Sequence, residues 1–177
     1  RWPDGLSPFG FKVVKEMNKQ GVMIDISHVS DAAFMKVLEL SKAPVVATHS
    51  SLRHFTPGWE RNVSDEMLIA LAENGGVIQL CFGSDFVANR KDNPDIEVSV
   101  KNVVDHIDRV RDLVGIDHVG FGSDFDGEVP LPEDINDVSK FPNLIEELLI
   151  RGYTESEIDK ILNENILRVW KEVRALA

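Results

Sequence analysis

VMIDISHVS (22–30) and PVVATHSS (44–51) decide how this chain folds. Each opens with a short apolar run rich in β-branched residues and ends in a histidine, His28 or His49. Runs of this length, bounded by turn residues, read as buried strands, here VMIDI (22–26) and PVVAT (44–48). Between them Ser30 and Asp31 open a helix that carries Phe34, Val37 and Leu38 on one face and stops near Ser41, ahead of Pro44. A strand, a helix and a second strand imply parallel pairing through a right-handed crossover. Both histidines then stand at the C-terminal tips of neighbouring strands, where parallel barrels gather their chemistry.

The same alternation continues on either side. Ser7 and Pro8 start a helix over 8–20, with Phe11, Val14 and Met17 as its stripe and Gly21 after its last turn. A longer loop, 50–62, holds His54, Pro57, Gly58, Trp59 and Arg61. Ser64 begins a helix with Met67, Leu68 and Leu71 inward, ended by Gly75 and Gly76. VIQLCF (77–82) is a third strand, followed by a polar loop with Asn89, Asp92, Asn93 and Pro94. Residues 99–114 have Val100, Val103, Val104, Ile107, Val110 and Val114 at helical spacing, and HVGFGS (118–123) is a fourth strand. From about 138 the chain is helical, with breaks near Gly152 and Asn163. Four parallel strands cannot close an eight-stranded barrel. A small doubly wound domain is the other arrangement, but no glycine-rich fingerprint follows the first strand.

Composition narrows the function classes. With 30 Asp and Glu against 19 Lys and Arg, the net charge is -11, which argues against nucleic acid as the main partner. No apolar stretch approaches the ~18 residues of a membrane span. Cys81 is the single cysteine, so no intrachain disulfide is expected. Its place inside VIQLCF suggests a buried structural thiol, and this weakly favours a cytoplasmic setting. The chain starts RWPDGLSPFG without an initiator methionine, which reads as the middle of a longer protein.

Four residues stand out chemically. A single histidine in a strand-to-helix loop is commonly structural, but His28 and His49 at equivalent tips are a candidate metal pair, since neutral imidazole is a common zinc ligand. Asp124, in GFGSDFDG at the end of the fourth strand, falls at the same level and can move a proton or bind an ammonium group. Gly120, Gly122 and Gly127 around it allow a close backbone approach to a ligand, while Asp126 beside Gly127 reads as a turn residue. Arg61 can clamp a carboxylate in bidentate fashion or simply be solvated. His54 and Trp59 can wall a pocket or lie on the surface. His106, in the helix over 99–114, reads as structural, and His118 sits at the wrong end of its strand for catalysis.

IDISHVS, PVVATHSS, the stretch from Arg61 through Asn62 to Met67, and VGFGSDFDG, in this order, resemble the C-terminal half of the membrane (renal) dipeptidase family of zinc peptidases. GLSPFG and VSKFPNLIEELLIRGYTESEIDKILNENILRVW are similar to that family as well. The resemblance covers nearly the whole chain. It implies an α/β fold that is the C-terminal half of a (β/α)8 TIM-type barrel, 1–177 being one partial domain. It also implies a metallo-dipeptidase with two zinc ions bridged by a carboxylate and a hydroxide. His28 and His49 match two ligands of one zinc. Arg61 matches the residue that holds a dipeptide's terminal carboxylate, and Asp124 the one that binds its amine and handles the proton.

The family's His-x-Asp pair, its bridging glutamate and a further substrate-holding histidine belong to an N-terminal half that this chain lacks. The expected partners are therefore that half, in the same protein or another chain, a dipeptide substrate and a second copy; the chain alone is expected to be inactive. Two alternatives stay open. One is a non-catalytic half-barrel scaffold. The other is an aspartate-nucleophile phosphatase, suggested by Asp124-Phe125-Asp126, although Glu128 stands where that motif carries Thr or Val.

Overall fold

The computed structural model describes residues 4–127 and 129–177. Local chemistry sets the helix boundaries. Helix α1 (Pro8–Lys19) begins where the Ser7 hydroxyl accepts the Gly10 amide at 3.0 Å, with Pro8 in its first turn. Helix α2 (Asp31–Leu40) is capped in the same way by Ser30 on Ala33. The N-terminus of α3 (Asp65–Glu73) is held by Ser64 on Met67. In α5 (Val100–Val114) the buried face is Val100, Val103, Val104, Ile107 and Val110, with His106 among them.

The sheet is parallel, in the order β1 (Val46–Ser50), β2 (Val77–Cys81), β3 (Val119–Ser123). Its apolar side packs on α2, α3 and α5 in one continuous core that includes Phe34, Leu68, Leu71, Ile78, Leu80 and Ile107. The order of strands and main helices follows the sequence reading, but the first strand needs correction. VMIDI is not a full strand. It pairs with β1 through a single parallel bridge, Asp25 to Val46, backed by Ile26 N–H donating to the Val46 carbonyl at 2.9 Å and Val46 N–H to the Ile24 carbonyl at 3.0 Å. With no described strand on its other side, the segment has pairing from one neighbour only, and it leaves the ladder at Ser27.

The polar loop after β2 holds a further short helix, α4 (Ser84–Val87), which the sequence reading left as loop. The C-terminal region comprises α6 (Phe141–Ile150), α7 (Glu155–Asp159) and α8 (Asn165–Ala175). Gly152, at φ +84°, makes the break after α6. No break occurs at Asn163; Lys160–Glu164 is a π-helical turn that carries α7 directly into α8. Asn165 explains why the chain stays close to the sheet here. Its buried amide donates to the carbonyls of Ile116 at 2.7 Å and Val119 at 2.8 Å, at the entry to β3.

Strands β1 and β3 are not neighbours, yet they meet. A Cβ at Gly122 would lie 2.2 Å from the Thr48 carbonyl oxygen and 2.7 Å from that of Gln79. The sheet is therefore curled so tightly at its C-terminal end that only glycine fits, and the tips of all three strands converge.

Candidate active site

The convergent tips carry the residues that the sequence singled out. His28, just past the Asp25 bridge, and His49, in β1, place their Nε2 atoms 2.7 Å apart. Their rings are tilted by 51° with centroids 4.8 Å apart. Arg61 reaches the same point from the 50–62 loop. One guanidinium nitrogen donates to the His49 carbonyl at 2.7 Å and to His28 Nε2 at 3.2 Å, and the other donates to the Ser50 hydroxyl at 2.7 Å. Arginine only donates, so the His28 Nε2 lone pair faces it.

The loop that delivers Arg61 is built around its neighbour. The buried Asn62 side chain accepts the Ser51 amide at 3.1 Å and donates to the Thr56 hydroxyl at 2.7 Å and the Phe86 carbonyl at 2.8 Å. Arg61 also lies over the Phe86 ring, 5.6 Å from its centroid. Burial holds the Arg61 pKa below the ordinary arginine value against the opposing pull of Cys81, Asp124 and Asp25. Its Nε is buried with no acceptor among the described residues. Burial, then the charges of Arg61 and His49, likewise hold His28 below the ordinary histidine range, against Asp25 and Asp124.

Asp124 follows β3 in the left-handed region, at φ +68°, with Ser123 before it at φ +31°. Two consecutive non-glycine residues there mark a constrained turn of the kind that collects at functional sites. Phe125 anchors the turn, its ring packed edge-on to Phe82 and Phe141 at 5.8 and 6.1 Å. Gly127 makes room for the carboxylate: a Cβ there would sit 2.5 Å from Asp124 Oδ1. The glycines of this segment thus admit protein atoms, Thr48 and Asp124, rather than a bare approach to ligand. Asp124 Oδ2 accepts from the Cys81 thiol at 3.8 Å. Burial above all pushes that thiol up to about 12, so it stays protonated as a donor. Cys81 is buried as expected, but it touches the site as well as the core.

The other histidines separate from this group. His106 is fully buried; its Nδ1 accepts the Leu52 amide at 3.1 Å and its Nε2 meets the Val87 carbonyl at 3.2 Å, so it is structural, as read from the sequence. His118 contacts the Gly76 carbonyl at 2.8 Å, at the far end of the sheet. His54 is exposed. Trp59 walls a hollow of about 390 Å³ with Thr56, Asp85, Asn89 and Arg90. It shares no lining residue with the hollow of about 590 Å³ beside the pair, which His28, Asp31, Glu60 and Arg61 line. Glu128, the residue in question for the phosphatase motif, lies outside the described residues.

Sequence reading missed Asp25 and Thr48. The Asp25 carboxylate accepts three hydrogen bonds: from the amides of Ser27 at 2.9 Å and Thr48 at 3.1 Å, and from the Thr48 hydroxyl at 2.6 Å. Burial works against its charge, but the Thr48 and Ser27 donors outweigh it and hold the pKa below the ordinary value. The Thr48 hydroxyl in turn lies 2.7 Å from His49 Nδ1. The available signal was the charged Asp25 placed mid-run in an otherwise apolar VMIDI.

A metal ion fits this pair chemically. The Thr48 hydroxyl spends its proton on Asp25 and can only accept from His49 Nδ1, which leaves the His49 Nε2 lone pair free. His28 Nε2 also presents a lone pair, to Arg61. Two unprotonated Nε2 atoms 2.7 Å apart repel each other, and a cation beside them would relieve that repulsion. Among the described residues no group of three His, Cys, Asp or Glu side chains comes together as a metal site, so these residues offer two imidazoles and not a complete coordination shell.

The family model described as membrane dipeptidase (peptidase family M19) matches residues 2–177. Among solved structures, the probable dipeptidase PvdM from Pseudomonas aeruginosa is 30% identical with a TM-score of 0.90, over 98% of this chain and 56% of that one. A metallopeptidase from Rhodobacter sphaeroides, liganded with a phosphinate mimic of the dipeptide L-Ala-D-Ala, is 35% identical with a TM-score of 0.88, over 96% and 48%. An amidohydrolase from Pseudomonas aeruginosa is 31% identical with a TM-score of 0.85, over 97% and 58%. The chain spans about half the length of these structures, and its fold is that of half of a TIM-type barrel.

Proposed function

Because this chain belongs to the membrane dipeptidase family, peptidase family M19, we propose that it supplies half of the active site of a zinc-dependent dipeptidase. The phosphatase reading is set aside by that membership. The observation that carries the proposal is the approach of the His28 and His49 Nε2 atoms to 2.7 Å at the strand tips. These two residues would hold one zinc ion, and the remaining ligands would come from the other half of the barrel, in the same protein or another chain. Bound zinc supplies Lewis acidity toward the peptide carbonyl and water acidified to near neutral pH.

The chain's own residues do the rest. Arg61, brought to the strand tips beside His28 and His49, binds the carboxylate end of the dipeptide through its guanidinium fork. Asp124, whose charge is felt at both Arg61 and His28, binds the free amine and passes the proton to the leaving amine. The Cys81 thiol and the left-handed turn at Ser123 and Asp124 hold that carboxylate in place. Two charged grips at fixed separation measure the length of the substrate, which favours dipeptides over longer peptides.

The test is zinc content and dipeptide hydrolysis in the full-length or two-part protein. Loss of bound metal in His28→Ala, and loss of hydrolysis with metal retained in Asp124→Asn, are the expected results. Full activity in both variants overturns the mechanism. A complete barrel that binds no zinc points instead to a non-catalytic scaffold.

A further inference from the structure

We infer that Asp25 and Thr48 form a hydrogen-bond relay that fixes His49 in the tautomer protonated on Nδ1, and so keeps its Nε2 lone pair available for metal. They are positioning residues: they act through His49 and touch no reacting atom.

The direction of each bond decides this. A carboxylate accepts only, so the 2.6 Å contact between Thr48 Oγ1 and Asp25 Oδ2 consumes the single hydroxyl proton. The 2.7 Å contact between Thr48 Oγ1 and His49 Nδ1 must then be donated by the ring. Asp25 cannot turn away from the hydroxyl, because its other oxygen, Oδ1, is pinned by the amides of Ser27 and Thr48. The backbone of His49 is held as well. Its amide donates to the Ser27 hydroxyl at 3.0 Å and its carbonyl accepts from Arg61. The segment around Asp25 and the tip of β1 are thus tied at several points. This explains why VMIDI needs only one bridge to hold its place beside β1. A histidine ligand whose second nitrogen donates to a fixed partner is a better oriented and more basic ligand.

The relay has a directional consequence. In Asp25→Asn the amide oxygen must take the Oδ1 position, where two amides already donate. The NH2 group then falls opposite Thr48 and donates to it. The hydroxyl must turn its own proton toward His49 Nδ1, which forces the ring proton onto Nε2 and blocks the ligand position. An isosteric change that removes one charge thereby reverses the relay; an Asp→Asn exchange beside a catalytic histidine is known to impose the wrong tautomer in this way.

The tautomer part stands on hydrogen bonds alone, while its use rests on the metal-ligand reading of His49; two readouts on the full-length protein separate them. The first is long-range 1H–15N correlation of the histidine rings in metal-free protein at pH 8, with His49→Ala for assignment. The expected pattern is Nδ1–H for His49 in the parent and in Thr48→Ser, Nε2–H in Asp25→Asn, and loss of the Nδ1–H preference in Thr48→Val. The second is titration with zinc alone, expected to weaken about 10- to 100-fold in Asp25→Asn and Thr48→Val and to stay close to the parent value in Thr48→Ser. Nε2–H in the parent, or an unmoved tautomer in both disrupting variants, overturns the relay even if zinc binds. The expected tautomer pattern without zinc binding by the parent leaves the relay standing and removes the metal reading. Should Asp25→Asn fail to fold, the Thr48→Val and Thr48→Ser pair decides, since a merely structural role lowers stability without moving a ring proton.

Discussion

The Nε2 atoms of His28 and His49 lie 2.7 Å apart although 21 residues separate them in sequence. One α/β crossover accounts for the meeting. Helix α2 returns the chain so that the segment ending at Ser27 and strand β1 run side by side, and their tips fall at one level. The first prediction follows. Replacing either histidine with alanine in the full-length protein removes one of the nitrogen donors and lowers zinc occupancy sharply. Metal analysis after dialysis against a weak chelator reads the loss, with circular dichroism unchanged.

Arg61 is aimed by three hydrogen bonds from two nitrogens, and its Nε still lacks an acceptor. Lysine keeps the charge but loses the fork. Charge-assisted hydrogen bonds are worth about 1.5–3 kcal/mol each. Arg61→Lys is therefore expected to raise KM for a dipeptide by roughly 10- to 100-fold while changing kcat less. Steady-state kinetics check it; an equal fall in kcat with KM unchanged would contradict a role in ground-state binding.

Asn62 holds the Arg61 loop with one acceptor and two donor contacts in a buried setting. Asn62→Leu leaves the Ser51 amide and the Phe86 carbonyl unpaired, each costing about 1–3 kcal/mol. A fall of that order per group in unfolding free energy is expected from denaturant titration. The same change at an exposed residue such as Asn163 stays within about 0.5 kcal/mol.

His106 sets a pH dependence of stability. Burial drives its pKa down to about 3 from the ordinary 6.5, because a charged ring would lose solvent in the core. A depressed histidine pKa means that the unfolded chain binds the proton more readily. The contribution is therefore complete above about pH 6.5 and is lost as pH falls from there toward 3, at up to about 1.4 kcal/mol per pH unit. His106→Asn keeps an acceptor for the Leu52 amide but cannot titrate. Thermal melts between pH 7 and 5 should show a shallower acid dependence in the variant than in the parent, and parallel curves would refute the assignment.

Much of the site was legible because it rests on local pattern. The serine caps at Ser7, Ser30 and Ser64 mark helix starts by a bond that spans three residues, and all three form. His28, His49 and Asp124 were identifiable from their place at the ends of apolar runs, since a strand tip is a position defined along the chain. Asp25 and Thr48, and the contact of Cys81 with the site, escaped notice because they depend on contacts across strands. Nothing local says that the Asp25 carboxylate meets Thr48, or that the Cys81 thiol points at Asp124. The shortfall of VMIDI as a strand has the same origin: its composition suits a strand, but its pairing with β1 is confined to the bridge between Asp25 and Val46.

By itself, then, the amino-acid order determined the alternation of helices and parallel strands, the family, and which side chains stand at the strand tips. Each of these follows from periodicity, capping and motif order along the chain. Tertiary structure alone decided that His28, His49 and Arg61 converge on one point, that Gly122 lets β3 curl onto Thr48, and that Asp25 reaches His49 through a hydroxyl. Those are relations between segments brought together by sheet curvature and core packing, and the ångström-scale fit of donors to acceptors exists only once the sheet has curled.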